Sequence, residues 1–295
     1  MNEHNIDDLL NRAYETDDWD ETERLVKQAL KLCPDHPEAL LLQADLTEDD
    51  EEKLPILQKA LASAQRYLEE QEIEKDDILE DDAGIVYLAL LQRTAFTLFA
   101  LSDYEGAMKL VEELMEYDHE ELAGVTRALF YRILLEQSAW AQVLEETMQD
   151  INRDLAWAYA RTIATFMLSR EKGPENAATL LWDAMRMAPN VPFYMLGYFP
   201  EPVEESDEED FHIALLFEGI WSVSRELLNW FSRATILFGL LSNRFGDETE
   251  DMKEILDALS GLREYQEFEK RLEATKLNDE EILSLLSAEH ALRTR

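Results

Sequence analysis

The sequence predicts an all-α chain of stacked helical pairs, an αα-solenoid closed by a C-terminal helical cap, and three observations lead there. Nine glycines and eight prolines are the only strong breakers in 295 residues. Between them apolar residues recur every three or four positions, as a helix with one buried face requires. Similar segments also return along the chain, which marks a stacked supersecondary unit.

Taken in order, residues 5–35 are expected to form one helical pair, with Leu25, Val26, Ala29, Leu30 and Leu32 as a buried stripe. A second pair covers 37–70, with an acidic turn at Asp45 to Glu52. An acidic insertion at 71–82 precedes a third pair at about 84–118, striped by Met108, Leu110, Val111, Leu114 and Met115. The fourth and fifth pairs cover about 120–150 and 154–188, so that residues 1–188 hold about five pairs. Each pair alone leaves an apolar face uncovered, and stacking buries it.

Beyond Pro189 the pattern changes. Residues 189–210 read as a turn-rich acidic connector, with Ser206 and Glu209 at capping-box spacing. Residues 211–295 are expected to form a helical region packing on the array, with helices at Ser224 to Arg244, Asp247 to Ala274 and from Asn278 onward.

The repeated segments carry a motif. Asp18-Trp19-Asp20-Glu21-Thr22 leads through Ala29 to Pro34, Asp103-Tyr104-Glu105-Gly106-Ala107 through Leu114 to His119, and Gly173-Pro174-Glu175-Asn176-Ala177 through Ala184 to Pro189. Small side chains at such spacing let two helices cross closely, and proline stops the second helix. These segments resemble the second helix of the tetratricopeptide repeat, although Thr22, Leu114 and His119 depart from its pattern. The strings Ala156-Trp157-Ala158-Tyr159 with Arg161, Pro189-Asn190-Val191-Pro192 with Tyr194, Leu196 and Gly197, and Trp221 with Trp230 are similar to bacterial repeat proteins of the suppressor of tumorigenicity 7-like type. The resemblance implies a right-handed superhelical scaffold with no assigned chemistry.

Composition narrows the class of function. The formal charge is -38, from 65 acidic against 27 basic residues, which repels phosphate backbones and anionic lipid. Neither nucleic acid nor membrane is therefore expected as a partner, and the excess serves solubility or attracts basic proteins. Cys33 is the only cysteine, which excludes an internal disulfide. The longest uninterrupted apolar runs, such as Ile236 to Leu241, fall short of a membrane span, and Met1 to Asp8 lack the basic and apolar regions of a secretory signal. A cytoplasmic protein is expected.

No glycine-rich phosphate loop occurs. Glu116 with His119 and Glu209 with His212 share the Glu-x-x-His spacing of di-iron bundles, but one falls at a turn and the other at a helix start. Cys33 and His36 straddle the Pro34 turn, and read as a buried structural thiol and a capping or solvated imidazole. No catalytic residue, cofactor or metal is predicted, and a metal-dependent enzyme is the remote alternative.

One arrangement stands apart. Arg93, Arg127 and Arg161 recur at intervals of 34 residues, each on the first helix of its pair. Such a ladder either grips a partner's carboxylates or pairs with acids of the adjacent unit and braces the stack. Trp157 and Tyr159 flank Arg161, as core residues or as aromatic anchors. The expected function is a non-catalytic scaffold that binds a peptide or helix in a concave groove, through Arg93, Arg127, Arg161, Trp157 and Tyr159. The alternative is an acidic holdase or nucleic-acid mimic for basic proteins.

Overall fold

The computed structural model describes residues 3–117, 120–168, 175–202, 208–273 and 276–293. Among these, every regular element is helical. The chain divides into two compact units, residues 1–133 and 134–295.

The first unit builds from neighbours in sequence. Helix α1 (Glu3–Glu15) packs on α2 (Trp19–Leu32), α2 on α3 (Pro37–Asp45), α3 on α4 (Asp50–Glu70), α4 on α5 (Asp82–Ala100) and α5 on α6 (Tyr104–Met115). Helix α7 (Glu120–Glu136) follows, and the division between the units falls within it. The crossings use small residues: Ala29, Ala39, Ala44, Ala60 and Ala107 are all fully buried. A side chain of that size lets two backbones approach closely.

Starts and stops of these helices have local causes. The Asp18 carboxylate accepts from the Asp20 and Glu21 amides, and the Asp103 carboxylate from the Gly106 amide, satisfying donors that a helix start leaves unpaired. The acids at 50–52 lie in the first turn of α4, capped by Asp49, so the acidic turn expected at 45–52 is shorter than its composition suggests. Negative charge is favoured there by the helix dipole.

Helix ends are made differently from what glycine and proline alone signal. Glu72, Ser102, Ser138, Asn243 and Ser260 all adopt positive φ, from 55° to 63°. In each case the next amide reaches back five residues, as Asp103 N–H to Leu98 O at 2.9 Å and Ala139 N–H to Leu134 O at 2.9 Å. This is the Schellman closure with a non-glycine residue in the left-handed position. Ser102 is followed at two residues by Tyr104 and Ser138 by Trp140, each the first residue of a helix.

The acidic insertion at 71–82 is an ordered part of the core. It holds a 3-10 segment, Lys75–Glu80, whose Ile78 is buried. A Cβ on Gly84 would stand 1.9 Å from the Ile78 carbonyl oxygen, so only glycine admits this approach. Helix α5 also corrects the reading of apolar runs. Within its 19 residues an 18-residue stretch has a mean hydropathy of 1.4, enough by length and composition for a membrane span, and half of that stretch is buried within the protein. Gln92, Arg93 and Thr94 interrupt the run and hide it from a search for unbroken apolar stretches.

The second unit closes on itself. Helix α8 (Trp140–Gln149) packs on α9 (Leu155–Leu168) and α9 on α10 (Glu175–Met187). Helix α11 (Val191–Met195) packs on α12 (Glu208–Glu218), and α13 (Arg225–Leu241) packs on α14 (Thr249–Ala258), α15 (Leu262–Leu272) and α9. The last helix, α16 (Asp279–Arg293), returns to pack on α10 and α13.

Within 189–210, read from sequence as a connector, Val191, Pro192, Phe193 and Met195 of α11 are buried. Apolar residues between turn formers are here core residues. Around them lies an aromatic interior: Trp221 stacks on Phe231 at 3.7 Å, Phe193 on Phe199 at 4.6 Å, and Trp230 on Phe166 at 4.7 Å. Trp221 Nε1 donates to Met195 Sδ at 3.2 Å.

One further difference from sequence follows from single residues. The helix expected over 247–274 is two helices, because Ser260 turns left-handed and Gly261 lets the chain pass Leu256, where a Cβ would meet Cδ1 at 2.4 Å. The start of α16 is a capping box: Asn278 Oδ1 accepts from the Glu281 amide and Glu281 Oε2 from the Asn278 amide, both at 2.9 Å. Ser206, His119, Gly173 and Pro174, used in the sequence reading, lie outside the described residues.

Candidate partner-binding site

The five residues singled out by sequence have different surroundings. In the first unit, Arg93 on α5 donates from Nε to Asp45 on α3 at 3.0 Å, with both side chains about half exposed. An exposed pair of this kind contributes about 0–1 kcal/mol and braces neighbouring helices. Arg127, on α7, is half-buried and engaged in contacts. In the second unit, Tyr159 is fully buried against Phe217 and Trp221 and offers no surface to a partner. Its hydroxyl has no hydrogen-bond partner among the described residues, and burial pushes its pKa up. The helical period that sets Trp157 near the surface turns Tyr159, two residues later, into the core.

Trp157 and Arg161 do come together, at the turn between α8 and α9. The turn is built by its own acids: Asp150 Oδ1 accepts from the Asn152 amide at 2.8 Å, and Asp154 Oδ1 from the Trp157 amide at 2.9 Å. This second bond places Trp157 in the first turn of α9. Its indole N–H donates to the Thr147 carbonyl at 2.8 Å, one of the carbonyls that the end of α8 leaves without a helical donor. Thr147 is buried, and its hydroxyl accepts from Arg161 Nη1 at 2.9 Å. A cation at the carbonyl end of α8 also meets the favourable end of its dipole.

Sequence reasoning missed the rest of the site. The Arg153 guanidinium also lies over the Trp157 ring, 5.6 Å from its centre, the same distance as the Arg161 guanidinium. Such contacts contribute about 0.5–1 kcal/mol each at exposed positions and hold the two cations beside one indole. Arg153 is exposed, and among the described residues neither it nor Arg161 has a carboxylate partner. Beside them Met148 is 75% and Ile151 90% exposed. An isoleucine in a turn breaks the pattern of polar loops, and that, with an arginine four residues before a tryptophan, was the available signal.

The other sequence candidates are structural. His36 caps α3 through Nδ1, which accepts from the Ala39 amide at 3.4 Å, and burial pulls its pKa below the ordinary value. Cys33 is half-buried at the end of α2, where full burial was expected, since that last turn lies at the surface. Among the described residues no group of three or more His, Cys, Asp or Glu side chains is placed to hold a metal ion.

The α8–α9 turn thus brings together two guanidiniums, an aromatic ring and the exposed aliphatic side chains of Met148 and Ile151. No protein-family model, no curated protein and no solved structure matches the chain.

Proposed function

We propose that this protein is a non-catalytic interaction scaffold: a tetratricopeptide-like αα-solenoid, capped by its C-terminal helices, that binds a peptide or helix of another protein. The observation that carries the reading is the α8–α9 turn, where Arg153 and Arg161 share one indole and have no carboxylate partner among the described residues, in a chain of formal charge -38. Arginine and tryptophan are the residue types that most often anchor interfaces. Support for the repeat comes from packing between consecutive helices, from buried alanines at the crossings, and from the recurrent serine-x-aromatic closures at Ser102 and Ser138.

Display of an unbiased peptide library on the intact chain tests this. Enriched peptides that bind saturably, and lose binding when Arg153 and Arg161 are both replaced by glutamate in a protein of unchanged helicity, are the expected result. If no sequence is enriched, or enriched peptides ignore the double substitution, the assignment of this site fails.

A second reading draws on the formal charge of -38 itself. An acidic holdase or nucleic-acid mimic would bind basic proteins with an affinity that falls steadily as salt rises, because exposed charges are screened beyond roughly 8 Å at physiological ionic strength.

A further inference from the structure

Resting on the scaffold reading, we infer that the α8–α9 turn selects an acidic peptide segment carrying an aliphatic side chain, its carboxylates on Arg153 and Arg161 and its aliphatic group against Met148 and Ile151. The inference is one of charge complementarity. Acidic residues outnumber basic ones 65 to 27, so an arginine on this surface has a surplus of carboxylates within reach. Several basic residues elsewhere take one: Arg12 and Arg24 pair with Glu21, Lys59 with Asp35, Arg93 with Asp45 and Arg186 with Glu280, whereas Lys31, Arg225, Lys270 and Lys276 are exposed singly and form no such pair among the described residues. At this turn two arginines contact the same indole and, among the described residues, take none.

The acids nearest in sequence make bonds of their own and pair with neither arginine. Asp150 accepts from the Asn152 amide and Asp154 from the Trp157 amide. Exposed at the turn are Arg153, the aliphatic Met148 and Ile151, and the polar Gln149 and Asn152, with Glu145 one turn earlier on α8. The guanidiniums are also held ready, Arg161 by Thr147 and both by the Trp157 ring, so binding a carboxylate costs less side-chain entropy than it would for a loose arginine. A guanidinium presents a planar fork of donors that fits a carboxylate through two hydrogen bonds, and exposed aliphatic groups beside it supply apolar area.

The overall negative charge opposes the approach of such a peptide, and range decides which effect wins. Repulsion from distant carboxylates is long-range and is largely screened beyond about 8 Å at physiological salt, whereas contact pairing at hydrogen-bond distance persists until the Debye length falls to about 3 Å near 1 M. Binding of an acidic peptide is therefore strongest at intermediate salt. The holdase reading gives the opposite profile, tightest at the lowest salt.

The test uses the full chain and three fluorescein-labelled probes of equal length: acetyl-Asp-Leu-Glu-Glu-Leu-Asp-amide, its Lys-for-acid counterpart, and its Asn/Gln counterpart, followed by fluorescence anisotropy from low salt to 1 M. Saturable binding of the acidic probe, strongest at intermediate salt and weakened about tenfold or more by Arg153→Glu, supports the inference. Arg161→Glu can disturb the Thr147 contact, so Arg153→Glu, at an exposed position, carries the decision, and Arg153→Lys is expected to retain part of the affinity. Binding of the neutral or basic probe through the same residues overturns the acidic specificity and leaves the scaffold reading standing. Failure of all three probes, with library peptides still enriched through Arg153, does the same. Failure of all probes together with an empty library selection overturns both.

Discussion

The two units reach stability by different routes. In the first, each helix from α1 to α6 covers the one before it, and the core is aliphatic and alanine-rich: Leu25, Val26 and Ala29 in one cluster, and Leu57, Ala60, Leu88 and Leu91 in another. In the second, contacts join elements far apart in sequence, α9 with α13 and α10 with α16, around Tyr159, Phe193, Phe217, Trp221, Phe231 and Phe238. Short-range packing asks only that each helix present one narrow stripe. Long-range closure needs large side chains that span the gaps between helices crossing at several angles, and aromatic rings meet that need. Arg244 shows the same habit: it pairs with Asp279, donates to Asn190 Oδ1 at 2.6 Å and lies over the Phe193 and Phe238 rings, tying the segments around α11, α13 and α16 together.

The largest expected effect breaks the second unit alone. Trp221→Ala removes a fully buried indole stacked on Phe231, and should cost about 3–5 kcal/mol. Hydrogen exchange is expected to show lost protection across α11, α12 and α13 with α2 to α5 still protected. Equal loss in both units would mean that they fold as one cooperative body and that the contrast is one of composition only.

The converse experiment acts on the first unit. Gly84→Ala drives a methyl group into the Ile78 carbonyl, and the 3-10 segment Lys75–Glu80 must shift, at about 1–3 kcal/mol. Urea unfolding measures the loss, and faster exchange confined to residues 73–90 locates it. An unchanged unfolding midpoint would show that the acidic insertion contributes nothing to the α4 and α5 core.

The smallest effect concerns a single cap. The His36 imidazole accepts a hydrogen bond at the start of α3, which only its neutral form can do, and burial lowers its pKa below 6.5 against the opposing pull of Glu38 and Asp7. A folded-state value below the unfolded one gives stability that is complete above about pH 6.5 and is lost as pH falls through the lowered value. The loss should be about 1 kcal/mol, the typical contribution of a cap. Comparing the pH dependence of unfolding in the wild type and in His36→Asn, which keeps an acceptor that does not titrate, isolates the effect. Identical slopes between pH 7 and 5 would remove the assignment.

Much of this molecule is legible without coordinates, and the limits fall at particular residues. Asp18, Asp103, Ser224 and Asn278 announce helix starts because a side-chain oxygen capping the next turn is a local event. The stops at Ser102, Ser138 and Ser260 are silent, since serine turns left-handed only where the rest of the chain supports the strain, and so the helix read over 247–274 is in fact α14 and α15. The binding residues divide in the same way. Trp157 and Arg161 stood out by composition and spacing, while Arg153 and Ile151, in an irregular turn, had no period to reveal them.

Composition and periodicity alone were enough to establish a helical chain with an excess of acidic residues, because helix formation depends on residues within a turn or two of each other. Only the folded molecule could say that α16 returns to α10, that Tyr159 is sealed inside while Trp157 stays near the surface, and that Arg93 has an aspartate while Arg153 and Arg161 share an indole. Each of those outcomes turns on which distant surface arrives beside a given side chain. That is a property of packing in three dimensions, and no local pattern encodes it.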